Sequence, residues 1–110
     1  MCIFCKIISG EFGTEFLHED QKVLAFRDLA PQAPTHILII PRGHYENVEE
    51  LAVAEPETLA ALFEIATNLA QSEGISGHRT VFNTGESAGQ SVFHAHLHLL
   101  GGRSFAWPPG

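Results

Sequence analysis

The 110-residue chain is poor in positive charge: six lysines and arginines stand against thirteen aspartates and glutamates, for a net charge of −7. Nonspecific nucleic-acid binding needs basic patches that release counterions, so this balance argues against it. Apolar runs are short. None approaches the ~20 residues that cross a bilayer, so no membrane partner is expected. The first residues show no basic segment followed by a long apolar stretch, and the chain reads as cytoplasmic. Cysteine is scarce as well: Cys2 and Cys5 are the only two. That excludes a disulfide framework, and Cys-x-x-Cys in a reducing compartment points to metal or redox chemistry. Repeats, linkers and low-complexity segments are absent. What remains is globular composition, 45% apolar and 17% charged, in one domain spanning residues 1–110. Such a length builds one core and not two.

Against this background histidine is conspicuous. Three of the seven alternate in Gln90-Ser91-Val92-Phe93-His94-Ala95-His96-Leu97-His98-Leu99-Leu100. A period of two predicts a β-strand with His94, His96 and His98 on one face and Ala95, Leu97 and Leu99 on the other. Imidazole has little preference for strands, and each buried ring nitrogen needs a partner. Packing alone therefore gives no reason for three in a row, whereas His18 and His78 read as ordinary structural residues. Near neutral pH imidazole serves both as metal ligand and as nucleophile or acid–base group.

Read in order, residues 3–9 predict a short helix with Gly10 near its C-terminal cap. Residues 16–19 and 23–27 predict a hairpin around Asp20-Gln21-Lys22. A proline-bearing loop, residues 28–34, leads into the apolar run 35–40, which fits a central strand covered on both faces. Asn47-Val48-Glu49-Glu50 resembles a capping box opening one helical turn. Pro56 suits a first helical turn, and Leu59, Leu62, Phe63, Ala66, Leu69 and Ala70 follow at helical spacing, most simply as core. Residues 80–82 predict a short strand, and the polar loop 83–91 carries Gly85 and Gly89, which permit close backbone approach to a ligand. The class is α+β: a mainly antiparallel, five-stranded sheet with one long helix and one short N-terminal helix.

At the triad the sequence resembles the histidine triad (HIT) family, whose motif is His-φ-His-φ-His-φ-φ with φ apolar. Asp28-Leu29-Ala30-Pro31-Gln32-Ala33-Pro34-Thr35-His36, Ile40-Pro41-Arg42-Gly43-His44, Gly101-Gly102-Arg103 and Trp107-Pro108-Pro109-Gly110 extend the resemblance to its Hint-like branch. The resemblance implies a HIT-like fold and a purine nucleoside phosphoramidase acting on compounds of the AMP-NH2 or AMP-lysine type. His96 would be the nucleophile, forming a nucleotidyl-histidine intermediate that water hydrolyses. His98 and Ser91 would stabilise phosphoryl or leaving-group charge, His94 would complete the triad, and His36 would support its orientation. Asp28 would hold the ribose hydroxyls. Asn83, Gly89 and Gln90 would line the phosphate side, while Ile3, Phe4, Phe26 and Leu29 would form the slot for the base. No cofactor is implied for catalysis. Cys2, Cys5, His44 and His94 would hold a structural zinc, two thiolates and two imidazoles making a closed tetrahedral set.

The resemblance also implies a homodimer in which the tail, residues 104–110, reaches the partner near its active site. Phe105 and Trp107 would otherwise leave a large apolar area in water. Two other readings compete. A zinc-dependent hydrolase would use His94, His96 and His98 as ligands with a bound water. Alternation weighs against it, because same-face residues of a strand lie about 6.5–7 Å apart. A nucleotide-binding or scaffold protein without turnover is the third reading, disfavoured by the intact triad and Ser91.

Overall fold

The apolar run expected to be a central strand forms β3 (Thr35–Pro41), with all seven residues buried. The structure, a computed structural model, describes residues 2–110. Around β3 lie β1 (His18–Glu19), β2 (Val23–Arg27), β4 (His78–Val81) and β5 (Leu97–Gly101), in the order β1-β2-β3-β5-β4. Every neighbouring pair is antiparallel. The five-stranded antiparallel sheet and α+β class expected from the sequence are thus present. β1 is shorter than expected, with Leu17 N–H still bonded to Ala25 O at 2.8 Å. β4 begins two residues earlier than expected and ends before Phe82.

Both faces of the sheet are covered, which is why β3 reads as an unbroken apolar run. On one face Val23, Ala25, Ile37, Ile39, Leu97 and Leu99 pack against Leu62, Ile65, Ala66 and Ala70 of α3 (Pro56–Ser72) and Leu51 of α2 (Val48–Ala54). Phe63 of the expected α3 stripe lies at its margin, edge-on to Phe82 at 6.1 Å between ring centroids. The opposite face carries Leu24, Phe26, Leu38 and Ile40 and is covered by Phe4 and Ile7 of α1 (Ile3–Ile8), with Val92 beside them. Cover there consists of a six-residue helix and loops, and the histidines lie on this thinner side.

Helix boundaries follow local chemistry. Gly10 (φ +84°) follows the last turn of α1, with Gly10 N–H on Ile7 O and Glu11 N–H on Lys6 O, both at 3.1 Å. This is the two-bond closure that a left-handed residue allows. Asn47 caps α2 by accepting from Glu50 N–H at 3.0 Å, while the Glu50 carboxylate reaches back to Glu46 N–H at 3.2 Å. That reciprocal pair sustains seven residues, where a single turn was expected, so the chain has a third helix. A 3-10 turn, Glu86–Ala88, interrupts the loop before the triad.

Gly102 (φ +89°) turns the chain out of β5; a Cβ there would lie 2.9 Å from the Pro34 ring. Beyond it, the two tail aromatics differ in their surroundings within the chain. Trp107 is 82% exposed, but the Phe105 ring lies under two guanidinium groups, Arg103 at 4.2 Å and Arg79 at 5.1 Å from its centroid. Arg79 also donates to Ala106 O at 3.0 Å and Arg103 Nε to Gln32 O at 3.1 Å. Cation–π contact and main-chain hydrogen bonds therefore clamp the start of the tail.

Candidate active site and metal centre

The three triad histidines do not share one strand. β5 begins at Leu97, so only His98 belongs to it, opposite Leu38 of β3 and Val81 of β4. The β3–β5 ladder would next bring Pro41 opposite Ala95, and proline has no N–H to continue it. Ala95 N–H turns instead to Tyr45 O at 2.7 Å, and His94 Nε2 donates to Pro41 O at 2.9 Å. The facing nevertheless alternates as expected: Ala95, Leu97 and Leu99 enter the helix-side core, while the Phe4 ring meets His94 at 5.9 Å and His96 at 5.0 Å between centroids.

Hydrogen-bond partners fix the proton on each ring. A carbonyl only accepts, so His96 Nδ1, 2.8 Å from His94 O, carries hydrogen and leaves Nε2 with its lone pair. A backbone amide only donates, so Gln32 N–H at 3.0 Å makes His36 Nδ1 an acceptor and places the His36 proton on Nε2. That proton points to His98 Nδ1 at 2.9 Å, with Asp28 Oδ2 3.4 Å from the same nitrogen. His98 is left with Nε2–H, a buried donor with no protein partner among the described residues. Burial lowers the pKa of His36, His96 and His98, the last to about 4 with help from the neighbouring His96 and His36. The rings are therefore neutral near neutral pH, as these tautomers require.

His96 and His98 line a cleft of about 280 Å³ with Ile3, Phe4, Phe26, Asp28, Leu29 and Ser91. These are eight of the residues expected at the site. Phe4 and Phe26 meet edge-on at 5.8 Å, whereas Leu29 is fully exposed at the rim. Asp28 Oδ1 accepts from Ala30 N–H at 2.8 Å, which fixes the carboxylate at the mouth. His36 stands behind His98 with both nitrogens engaged, in a supporting position and not a reacting one. Gln90 is not free to line the phosphate side: its buried amide accepts from Gly85 N–H at 2.9 Å and donates to Glu46 O and Val92 O. Asn83 and Gly89 neighbour one another outside the cleft lining.

His94 also departs from a reacting role. Its ring has no exposed surface, Nε2 is committed to Pro41 O, and Nδ1 faces away from the cleft lining into a different cluster. There it lies 3.2 Å from His44 Nδ1, 3.6 Å from Cys2 Sγ and 3.8 Å from Cys5 Sγ, with Cys5 Sγ 3.4 Å from His44 Nδ1. The four ligand atoms lie within 4.8 Å of one another. Zinc bonds of about 2.0–2.3 Å in a tetrahedron set neighbouring ligand atoms about 3.3–3.8 Å apart, and the distances among Cys5, His44 and His94 and from Cys2 to His94, 3.2–3.8 Å, lie close to that range. The His94 Nε2–H bond to a carbonyl leaves Nδ1 free as a ligand, the usual orienting arrangement for a metal-bound imidazole. Asp28, His36 and His98 also converge, but a nitrogen pair at 2.9 Å with an assigned proton is a hydrogen bond, not two ligands of one ion.

Sequence reasoning missed Ile7, Thr14, Arg27, Leu38 and Val92 in the cleft wall. Leu38 was recoverable from register, since it pairs with His98. Thr14 carried no signal. Also missed were the main-chain groups of Gln32, Pro41, Tyr45 and His94 that orient the rings, which no side-chain motif encodes.

The depressed histidines make a pH prediction. Between 6.5 and about 4 the native state holds His98 neutral while the unfolded chain would protonate it. Its contribution to stability is complete above that interval, is lost as pH falls through it, and is constant below. Urea unfolding across the interval should show stability falling with acidification and a shallower fall in His98→Asn. Equal slopes for the two proteins, or a His98 NMR titration midpoint near 6.5, would contradict this.

Residues 9–105 match the HIT domain. The chain is 50% identical over 109 residues to an uncharacterised HIT-like protein of Synechococcus elongatus, covering 98% of this chain and 96% of that one. It is 52% identical over 112 residues to a 14 kDa zinc-binding protein of Zea mays, with 98% and 87% covered. Among solved structures, a HIT family hydrolase of Legionella pneumophila Philadelphia 1 superposes with a TM-score of 0.94 at 50% identity over the whole of both chains. One from Clostridium thermocellum gives 0.91 at 42%, covering 96% of this chain and 93% of that one. Triad, sheet and relatives agree, and the chain belongs to the HIT family.

Proposed function

We propose that the protein is a hydrolase of purine nucleoside 5′-phosphoramidates, working through a nucleotidyl-histidine intermediate on His96. The observation that carries this reading is the fixed tautomer of His96: Nδ1–H is held by the His94 carbonyl, so the lone pair of Nε2 belongs to the cleft that the ring lines. In the first step Nε2 attacks the α-phosphorus, the Nε2–P bond forms, the P–N bond to the amine breaks, and the amine leaves with the proton that His98 Nε2–H supplies. In the second, water attacks the same phosphorus and gives a proton back to His98 Nε2, the Nε2–P bond breaks, and the nucleoside monophosphate departs. His98 Nε2–H, polarised through His36 and the Gln32 amide, donates to a phosphoryl oxygen or to the leaving amine as charge develops. Ser91 adds a hydroxyl at the rim, Asp28 accepts from the ribose hydroxyls, and the apolar wall of Ile3, Phe4, Phe26 and Leu29 takes the base.

In this reading Cys2, Cys5, His44 and His94 would hold a structural zinc, four protein ligands that would tie the start of α1 to the triad loop and serve stability and not hydrolysis. The zinc-binding name of the maize relative and the hydrolase names of the structural neighbours support the two halves of the proposal. The geometry disfavours a zinc held by all three triad histidines, because His94 groups with the cysteines while His98 groups with Asp28 and His36. Replacing His96 by Asn should lower turnover of adenosine 5′-phosphoramidate by at least about three orders of magnitude, roughly 4 kcal/mol of barrier. AMP binding by calorimetry should persist, and a variant keeping a tenth of wild-type turnover would refute the assignment.

We also infer a cytoplasmic homodimer. β4 is an edge strand, and Phe63 and Trp107 expose apolar surface at 42% and 82%. Among the described residues no helix is long and apolar enough to cross a membrane. Sedimentation at micromolar concentration should give the dimer mass. Deleting residues 105–110 should change the preference between small and bulky leaving groups more than it weakens AMP binding. A monomer, or truncated enzyme with unaltered kinetics on both substrates, would count against the inference.

A further inference from the structure

His94 is held at three points, and each leads somewhere different. Its Nδ1 belongs to the cysteine–histidine cluster, its Nε2 is bonded to Pro41 O, and its main-chain oxygen accepts the Nδ1 hydrogen that fixes His96. The cluster also takes Cys2, the N-cap residue of α1, and Cys5 within that helix. α1 has six residues and no side-chain cap bond, too short to hold its shape without tertiary ties. Between the two cysteines it carries Phe4, whose ring edge meets His96 at 5.0 Å, and it presents Ile3 and Ile7 to the cleft. The cluster therefore joins the residues that make both contacts to the His96 ring: His94, whose carbonyl accepts from it, and α1, whose Phe4 forms the aromatic wall beside it.

We propose that Cys2, Cys5 and His44 are positioning residues for the nucleophile: a cation in their cluster sets the tautomer and orientation of His96 through the His94 main chain and α1, without touching the reacting atoms. The inference rests on the zinc reading above. It goes beyond a purely structural metal, because a merely stabilising ion would leave the His96 ring unchanged wherever the protein stays folded. A displaced nucleophile is costly to turnover even when every reacting group is retained.

The full-length protein, as purified, after chelation and after zinc is returned, should be compared with Cys5→Ala and with Cys5→Asp, which retains an anionic ligand. Zinc content, circular dichroism, the 15N signals of the His96 ring and steady-state kinetics on adenosine 5′-phosphoramidate would be measured below the melting transition. Chelated protein should remain folded with a lower Tm, while His96 passes from a single Nδ1–H form to a mixture. Its kcat should fall about ten- to a hundredfold. Returned zinc should restore the wild type and not Cys5→Ala, with Cys5→Asp between them. Cobalt in place of zinc should show the ligand-field bands of a tetrahedral site.

A folded, metal-free protein with unchanged His96 signals would overturn the proposal. So would a wild type that takes up no zinc, or one that unfolds entirely on chelation. If the wild type turns over no phosphoramidate, the functional reading fails, yet the His96 signals still decide the positioning role. Should Cys5→Ala fail to fold, chelation and reloading of the wild type give the answer.

Discussion

Burying imidazoles in an apolar layer forces each ring nitrogen to find a partner, and that constraint orders the whole of this site. A ring can be removed from water at tolerable cost only if its N–H and its lone pair are both used or deliberately left for a ligand. His94 spends one nitrogen on Pro41 O and gives the other to the cysteine cluster; His36 spends both on Gln32 and His98. Those commitments leave His96 and His98 with one nitrogen apiece, a lone pair on the first and a proton on the second. A ring with a free lone pair and a ring with a free hydrogen-bond donor thus stand side by side, 4.9 Å apart, and both stay uncharged because the apolar layer disfavours imidazolium.

The sheet makes this arrangement rigid. β3 is buried on both faces and pairs with β2 over residues 37–41 and with β5 over residues 35–39, so His36 and His98 are diagonal neighbours on adjacent strands, fixed by register. On the helix side a conventional apolar core carries the stability, and the histidine side is free to hold polar groups under thin cover. Loss of the β3–β5 ladder beyond Leu97 belongs to the same design: the segment before it is released from strand geometry, which lets His94 and His96 serve different clusters although they are two residues apart.

Much of this was legible in the sequence because its signals are local. The apolar run ending at Pro41, the Pro56 start of α3 and the Gly10 cap each specify an element through one stretch of chain, and the period of two at 94–99 correctly separated core-facing from site-facing residues. The same period misled about the strand itself, because the residue that ends the ladder, Pro41, lies more than fifty positions away. Side chains spent on structure were equally hard to foresee. Gln90 sits among apparent ligand-binding residues yet closes its own loop, and Phe105 finds two arginines that no spacing rule links to it. The groups that assign the protons are main-chain amides and carbonyls, which every residue possesses and no motif marks.

The claim on which the rest turns is that phosphorus bonds to His96 before it meets water. Two successive in-line displacements restore the original configuration at phosphorus, whereas direct attack by water inverts it. Hydrolysing a nucleoside phosphorothioamidate of known configuration in 18O-labelled water, and determining the configuration of the product, decides between them. The account predicts net retention; net inversion would contradict it.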